Sequence, residues 1–191
     1  MKAITNEQKR AFERDGYLVV KGLFNPEQVK ELREEFMRLS NAPIPGYFEP
    51  ALNQEVTDPL KRYPRMMHPH RYNETAMQYM LDPNIMNVLE DLYDEPALAA
   101  QSMFYFKPPK SRGQALHQDN FYLKVEPGTC IAAWAAIDPA DEENGGLLVV
   151  PQTNNDDIYC PEEADRNESF TNHFVKVPKG KKSRSSCDGC R

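Results

Sequence analysis

No stretch of this 191-residue sequence offers the ~20 consecutive apolar residues that a membrane-spanning helix needs. The opening segment, MKAITNEQKRAFERDG, lacks the apolar centre of a signal peptide. Basic charge is in deficit: 23 Lys and Arg against 29 Asp and Glu give a net charge of −6, which argues against a nucleic-acid partner or an anionic membrane surface. Cysteine is sparse as well. Cys130, Cys160, Cys187 and Cys190 are too few and too unevenly placed for a disulfide framework, and they suit a reducing cytoplasm. There is no internal repeat. Histidine is scarce, and after Asp119 only His173 remains. What is present, 40% hydrophobic and 27% charged residues, is ordinary for a globular chain long enough to bury one sizeable core.

Helices come first. Thr5 with Gln8 is a capping-box pattern opening a short helix that Gly16 ends, and Tyr17 to Val20 then reads as a short strand. Asn25-Pro26 with Gln28 starts a second helix, in which Val29, Leu32, Phe36 and Leu39 mark one buried face. Residues 41–65, rich in proline and aromatics, read as a long loop over one end of the domain. Asp82-Pro83 begins a further helix carrying Ile85, Met86, Leu89 and Leu92. From Leu98 the texture changes to strands: Gln101 to Lys107, stopped by Pro108-Pro109, then His117 to Leu123, Thr129 to Ile137 and Leu147 to Val150. Asn144-Gly145-Gly146 makes the turn into the last of these. Helices followed by strands predict an α+β domain with helices around a β core. The basic, Ser-rich stretch 179–191 has no periodicity and reads as a disordered tail after a domain spanning 1–178.

The chemistry-bearing feature is His117-Gln118-Asp119. On a strand, residues i and i+2 point the same way, so an imidazole and a carboxylate would stand side by side. These are two thirds of the facial triad that holds non-haem Fe(II). An isolated His-x-Asp is common by chance, and its surroundings decide how it is read. In order, these are FERDGYLVVKGLF, QSMFYFKPP, LHQDNFY, Trp134 within AAWAAID, and ENGGLLVVP.

From about residue 5 to residue 151 this series closely resembles the phytanoyl-CoA dioxygenase family of Fe(II)/2-oxoglutarate oxygenases. The resemblance implies a mainly β core, a double-stranded β-helix (jelly roll, cupin-like) with N-terminal helices. It also implies Fe(II) in the barrel mouth, 2-oxoglutarate as co-substrate, O₂ as oxidant and a small organic molecule as substrate. His117 and Asp119 match the first two iron ligands, and Met103 and Trp134 match positions lining the 2-oxoglutarate pocket. Arg65 falls near a basic residue that contacts the co-substrate, and Gln101 is a further polar pocket position. Relatives that halogenate carry a small residue in place of the carboxylate, so Asp119 implies hydroxylation.

Family members continue into a G-D-x-x-x-F…H-G segment bearing the third iron ligand, followed by a basic residue for the distal carboxylate of 2-oxoglutarate. This sequence has neither, so the resemblance implies a C-terminally incomplete domain that holds iron weakly and turns over poorly. His173 lacks the expected surroundings of a ligand. His68 and His70 fall in a Pro-rich stretch ahead of the barrel and read as surface or lid residues. Cys187-Asp188-Gly189-Cys190 has no companion pair and reads as a chance CxxC. Two other readings stay open: a non-catalytic, ligand-binding relative of the same fold, and a cupin-like Zn or Mn protein.

Overall fold

The computed structural model of the chain describes residues 3–52 and 55–185. The CxxC cysteines and the end of the tail lie outside them. Two compact units form. The first comprises the residues up to Lys9 together with Val20–Ser111, and the second Arg10–Val19 together with the residues from Arg112 on. Among the described residues no helix is long and apolar enough to cross a membrane.

Helix α1 (Asn6–Asp15) opens with the expected capping box: the Thr5 backbone N–H donates to Gln8 Oε1 at 2.8 Å and the Gln8 N–H to Thr5 Oγ1 at 3.1 Å. Gly16 ends it with φ +80°, a left-handed conformation that costs a Cβ-bearing residue about 1–2 kcal/mol. A Cβ there would also lie 2.7 Å from Asn154 Cβ, whose side-chain amide donates to the Glu13 carbonyl at 3.1 Å. Gly16→Ala should therefore destabilise the second unit by about 2 kcal/mol or more. Gly22→Ala, at φ +67° with nothing within 4 Å, should show the backbone strain alone. Urea denaturation of both variants measures the difference.

The first unit continues through α2 (Pro26–Leu39), the single-turn α3 (Pro59–Arg62), strand β1 (Met66–Met67), α4 (Glu74–Met80), α5 (Pro83–Tyr93) and strand β2 (Met103–Phe104). Asn25 caps α2 with both arms of a capping box, and Leu32, Phe36 and Leu39 form its buried face. Asp82 Oδ1 accepts the Asn84 N–H at 2.8 Å to start α5, which buries Val88 and Leu92. Phe48, Met66 and Ala76 complete this core, and Phe36 stacks on Phe104 with centroids 3.8 Å apart. β1 and β2 pair antiparallel, Met66 opposite Phe104 and Met67 opposite Met103. Asn73 both caps α4, through Ala76 N–H at 2.8 Å, and donates to Glu35 of α2.

The second unit holds α6 (Asp119–Leu123) and strands β3 (Leu148–Val149), β4 (Glu162–Glu163), β5 (His173–Phe174) and β6 (Arg184–Ser185). β3 pairs with β6 and β4 with β5, both antiparallel. Lys181 and the Arg184–Ser185 pair thus meet other described residues within the stretch read as a tail. A parallel bridge joins Gly113 to Ser169, and the Val175 N–H reaches the Leu116 carbonyl at 2.7 Å.

Several expected strands differ. His117–Leu123 is not a strand, because α6 begins at Asp119. Asn120 Oδ1 accepts the Val125 N–H at 2.7 Å, and Lys124 closes the turn in a left-handed conformation. Tyr17–Val20 and Thr129–Ile137 belong to none of the sheets, since an apolar run becomes a strand only where a partner ladder satisfies its backbone. Gln101–Lys107 and Leu147–Val150 shrink to the two-residue strands β2 and β3. The expected jelly roll is not seen either. Among the described residues the strands pair only two by two, in three separate sheets, with no closed barrel.

Candidate metal centre

His117 and Asp119 meet although they do not share a strand. Gln118 between them is extended, with φ −108° and ψ 124°, which keeps its neighbours on one face. His117 Nε2 lies 3.1 Å from Asp119 Oδ1.

The imidazole's other contacts fix its chemistry. His117 Nδ1 is 2.8 Å from the Ala115 carbonyl, which only accepts, so Nδ1 carries a proton. The side-chain amide nitrogen of Gln114, a donor, is 3.2 Å from Nε2 and favours a lone pair there. In that neutral tautomer the Nε2 lone pair and a carboxylate oxygen face the same space, and either a proton or a metal ion would relieve their repulsion. A backbone carbonyl that holds the far N–H of a ligand histidine is the usual outer support of such a site. The residues present therefore fit two ligands of a divalent metal. When Nε2 is protonated instead, its hydrogen bond to Asp119 holds the carboxyl below the usual carboxylate range, against the opposing effect of burial. Burial, with the Asp119 charge, pushes the Cys130 thiol up, so it stays protonated.

Backbone and side-chain hydrogen bonds connect the pair's surroundings to the rest of the second unit. Leu116 bonds to Val175, and Gln118 reaches residues 157–159. His173 sits exposed in β5. Among the described residues no group of three or more His, Cys, Asp or Glu is placed to hold a metal, so His173 does not join His117 and Asp119. Trp134, in the same unit, is 46% exposed.

The other sequence-predicted site residues belong to the first unit. Tyr105 links two of them: its hydroxyl donates to Met103 Sδ at 3.3 Å and accepts from Arg65 Nη1 at 3.5 Å. Gln101 is half-buried ahead of β2. His68 and His70 flank Pro69, with their rings 5.7 Å apart. His68 adopts φ 52° and its buried Nδ1 has no hydrogen-bond partner, whereas His70 Nδ1 lies 2.7 Å from Ser102 Oγ. Sequence reasoning missed Gln114 and Ala115, for which nothing in their residue types gives a signal. It also missed Gln118, which stood in plain view between His117 and Asp119.

A sequence profile described as Phytanoyl-CoA dioxygenase (PhyH) matches residues 12–185. The chain belongs to the phytanoyl-CoA dioxygenase family. The match runs well past residue 151, where the resemblance was expected to fade, and takes in the segments that pair with residues 113–116 and β3. Among curated relatives the chain is 30% identical over 160 residues to mouse "Phytanoyl-CoA dioxygenase, peroxisomal", covering 78% of this chain and 47% of that protein. The rat protein of the same name is 29% identical over 157 residues, covering 77% of this chain and 46% of that protein. Zebrafish "Phytanoyl-CoA dioxygenase domain-containing protein 1" is 23% identical over 220 residues, covering 94% of this chain and 72% of that protein. The chain thus spans about half the length of the mouse and rat proteins.

Proposed function

We propose that the chain acts in an Fe(II)- and 2-oxoglutarate-dependent dioxygenase that hydroxylates a small organic substrate, with the family's double-stranded β-helix as its scaffold. The observation that carries the reading is the 3.1 Å approach of His117 Nε2 to Asp119 Oδ1 inside the span matched to the family. When bound, Fe(II) would supply the oxidising chemistry, coupling oxidative decarboxylation of 2-oxoglutarate to succinate and CO₂ with insertion of one oxygen atom of O₂ into a substrate C–H bond. His117 would bind through Nε2 while Ala115 keeps the proton on Nδ1. Asp119 supplies the negative charge that favours a divalent ion over a proton. Trp134 and Met103 keep the pocket-lining roles that the resemblance gives them, Gln101 a polar one, and the Arg65 guanidinium offers the chemistry a carboxylate needs.

A second reading, a ligand-binding relative without turnover, is favoured by the lack of a third His or carboxylate beside the pair among the described residues. Anaerobic addition of Fe(II) and 2-oxoglutarate, followed by air, separates the two. The dioxygenase reading expects a visible charge-transfer band and then succinate release. The ligand-binding reading expects 2-oxoglutarate or substrate binding with no succinate. A metal that binds without any response to 2-oxoglutarate would point instead to a cupin-like Zn or Mn protein.

A further inference from the structure

Gln118 occupies the N-cap position of α6, yet its side chain makes no capping hydrogen bond. It reaches across to another segment instead. Its Nε2 donates to the Asp157 carbonyl at 3.2 Å and its Oε1 accepts the Tyr159 N–H at 2.8 Å. One carboxamide thus reproduces both hydrogen bonds of a strand neighbour. The segment it grips is itself fixed from the other side: Asp156 Oδ2 accepts from Tyr159 Oη at 2.6 Å and from Lys181 Nζ at 2.7 Å. Because residue 118 is extended, its side chain projects away from the face shared by His117 and Asp119. The grip therefore lies directly behind the pair.

We propose that Gln118 is a positioning residue of the metal centre, pinning the backbone between the two ligands to residues 157–159 and so holding His117 Nε2 and Asp119 Oδ1 toward one point. This inference rests on the metal-ligand role given to His117 and Asp119 above. Its physical basis is that α6, at five residues, is too short to fix Asp119 by helical cooperativity. His117 has its own brace at Ala115, whereas the contact shown for the Asp119 carboxylate is the one with His117 Nε2 itself. Rotation of the backbone at residue 118 would turn the two ligands apart, and the carboxamide grip opposes that rotation.

The test uses the full chain with Gln118→Ala, Gln118→Asn and Gln118→Glu. Asparagine keeps the amide but is one methylene short. Glutamate keeps the acceptor for Tyr159 N–H and loses the donor to Asp157. Without metal, amide exchange at Tyr159 and the ¹⁵N shifts of the His117 ring are followed by NMR. With Co(II) as the probe, affinity and the visible ligand-field spectrum are followed. In the alanine and asparagine variants, Tyr159 exchange should rise at least about tenfold and Co(II) affinity should fall about 10–100-fold with an altered spectrum, as for other outer-support residues. Glutamate should recover part of both effects. Asp156→Ala, which loosens the same segment without touching Gln118, should change the affinity less than Gln118→Ala does.

Unchanged Tyr159 exchange overturns the grip, and open exchange with unaltered Co(II) affinity and spectrum overturns the positioning role. If the parent chain takes up no Co(II) through His117, the proposed function falls separately. The metal-free arm then still decides the inference: His117 ring shifts that move in Gln118→Ala support it, and shifts that stay fixed overturn it.

Discussion

His117→Ala is expected to abolish Fe(II) binding by the chain, and Asp119→Ala to do the same, while Cys187→Ser and Cys190→Ser leave it intact. The argument is one of donor chemistry. Nε2 and Oδ1 lie 3.1 Å apart and offer a lone pair and a negative charge to one point. Where His117 and Asp119 both hold the ion, removing either leaves a single attachment that water displaces readily. The loss should exceed the ~10–100-fold typical of removing an outer support. Anaerobic metal titration of the four variants measures it. Binding that depends on the cysteines and ignores His117 would reverse the assignment.

The largest effect on stability is expected from Phe36→Ala. Phe36 is 5% exposed on the inner face of α2, and its ring lies nearly parallel to that of Phe104 on β2, 7° between planes. Truncation empties a space that helix and strand close together, a change that typically costs about 3–5 kcal/mol. Met37, the next residue along the same helix, is 46% exposed, and Met37→Ala should stay within about 0.5 kcal/mol. Urea unfolding followed by circular dichroism compares the two. Equal effects would mean that the stacked pair is not part of the core.

Local chemistry made α2 and α5 legible. Asn25-Pro26 and Asp82-Pro83 announce their starts, and three- to four-residue spacing marks the faces they bury. The N-cap of α4, Asn73, was equally visible, but seven residues carry too little periodicity to call attention to a helix. Strands were another matter. Alternation shows which residues could line a sheet, but the ladder depends on a partner far along the chain. Thr129–Ile137 is strand-like in composition and lies outside every sheet. His117 and Asp119 could be found because their relation needs only one extended residue between them, which holds whether or not a strand or helix follows. The support from Ala115, Gln114 and residues 157–159 depends on loop paths that residue types do not encode. The jelly-roll expectation came from family resemblance, and no periodicity in the chain stood behind it.

The apolar side chains that are fully buried among the described residues all belong to the first unit, while His117 and Asp119 lie in the second. Stability is then not a single quantity for this chain, because segments with few buried apolar contacts open locally at lower free energy than the global transition. A melting curve would report chiefly the core around Phe36 and Met66. Occupancy of the His117–Asp119 pair would instead follow the smaller opening free energy of its own unit, and a ligand that binds only the closed form would raise that local value by mass action without moving the main transition.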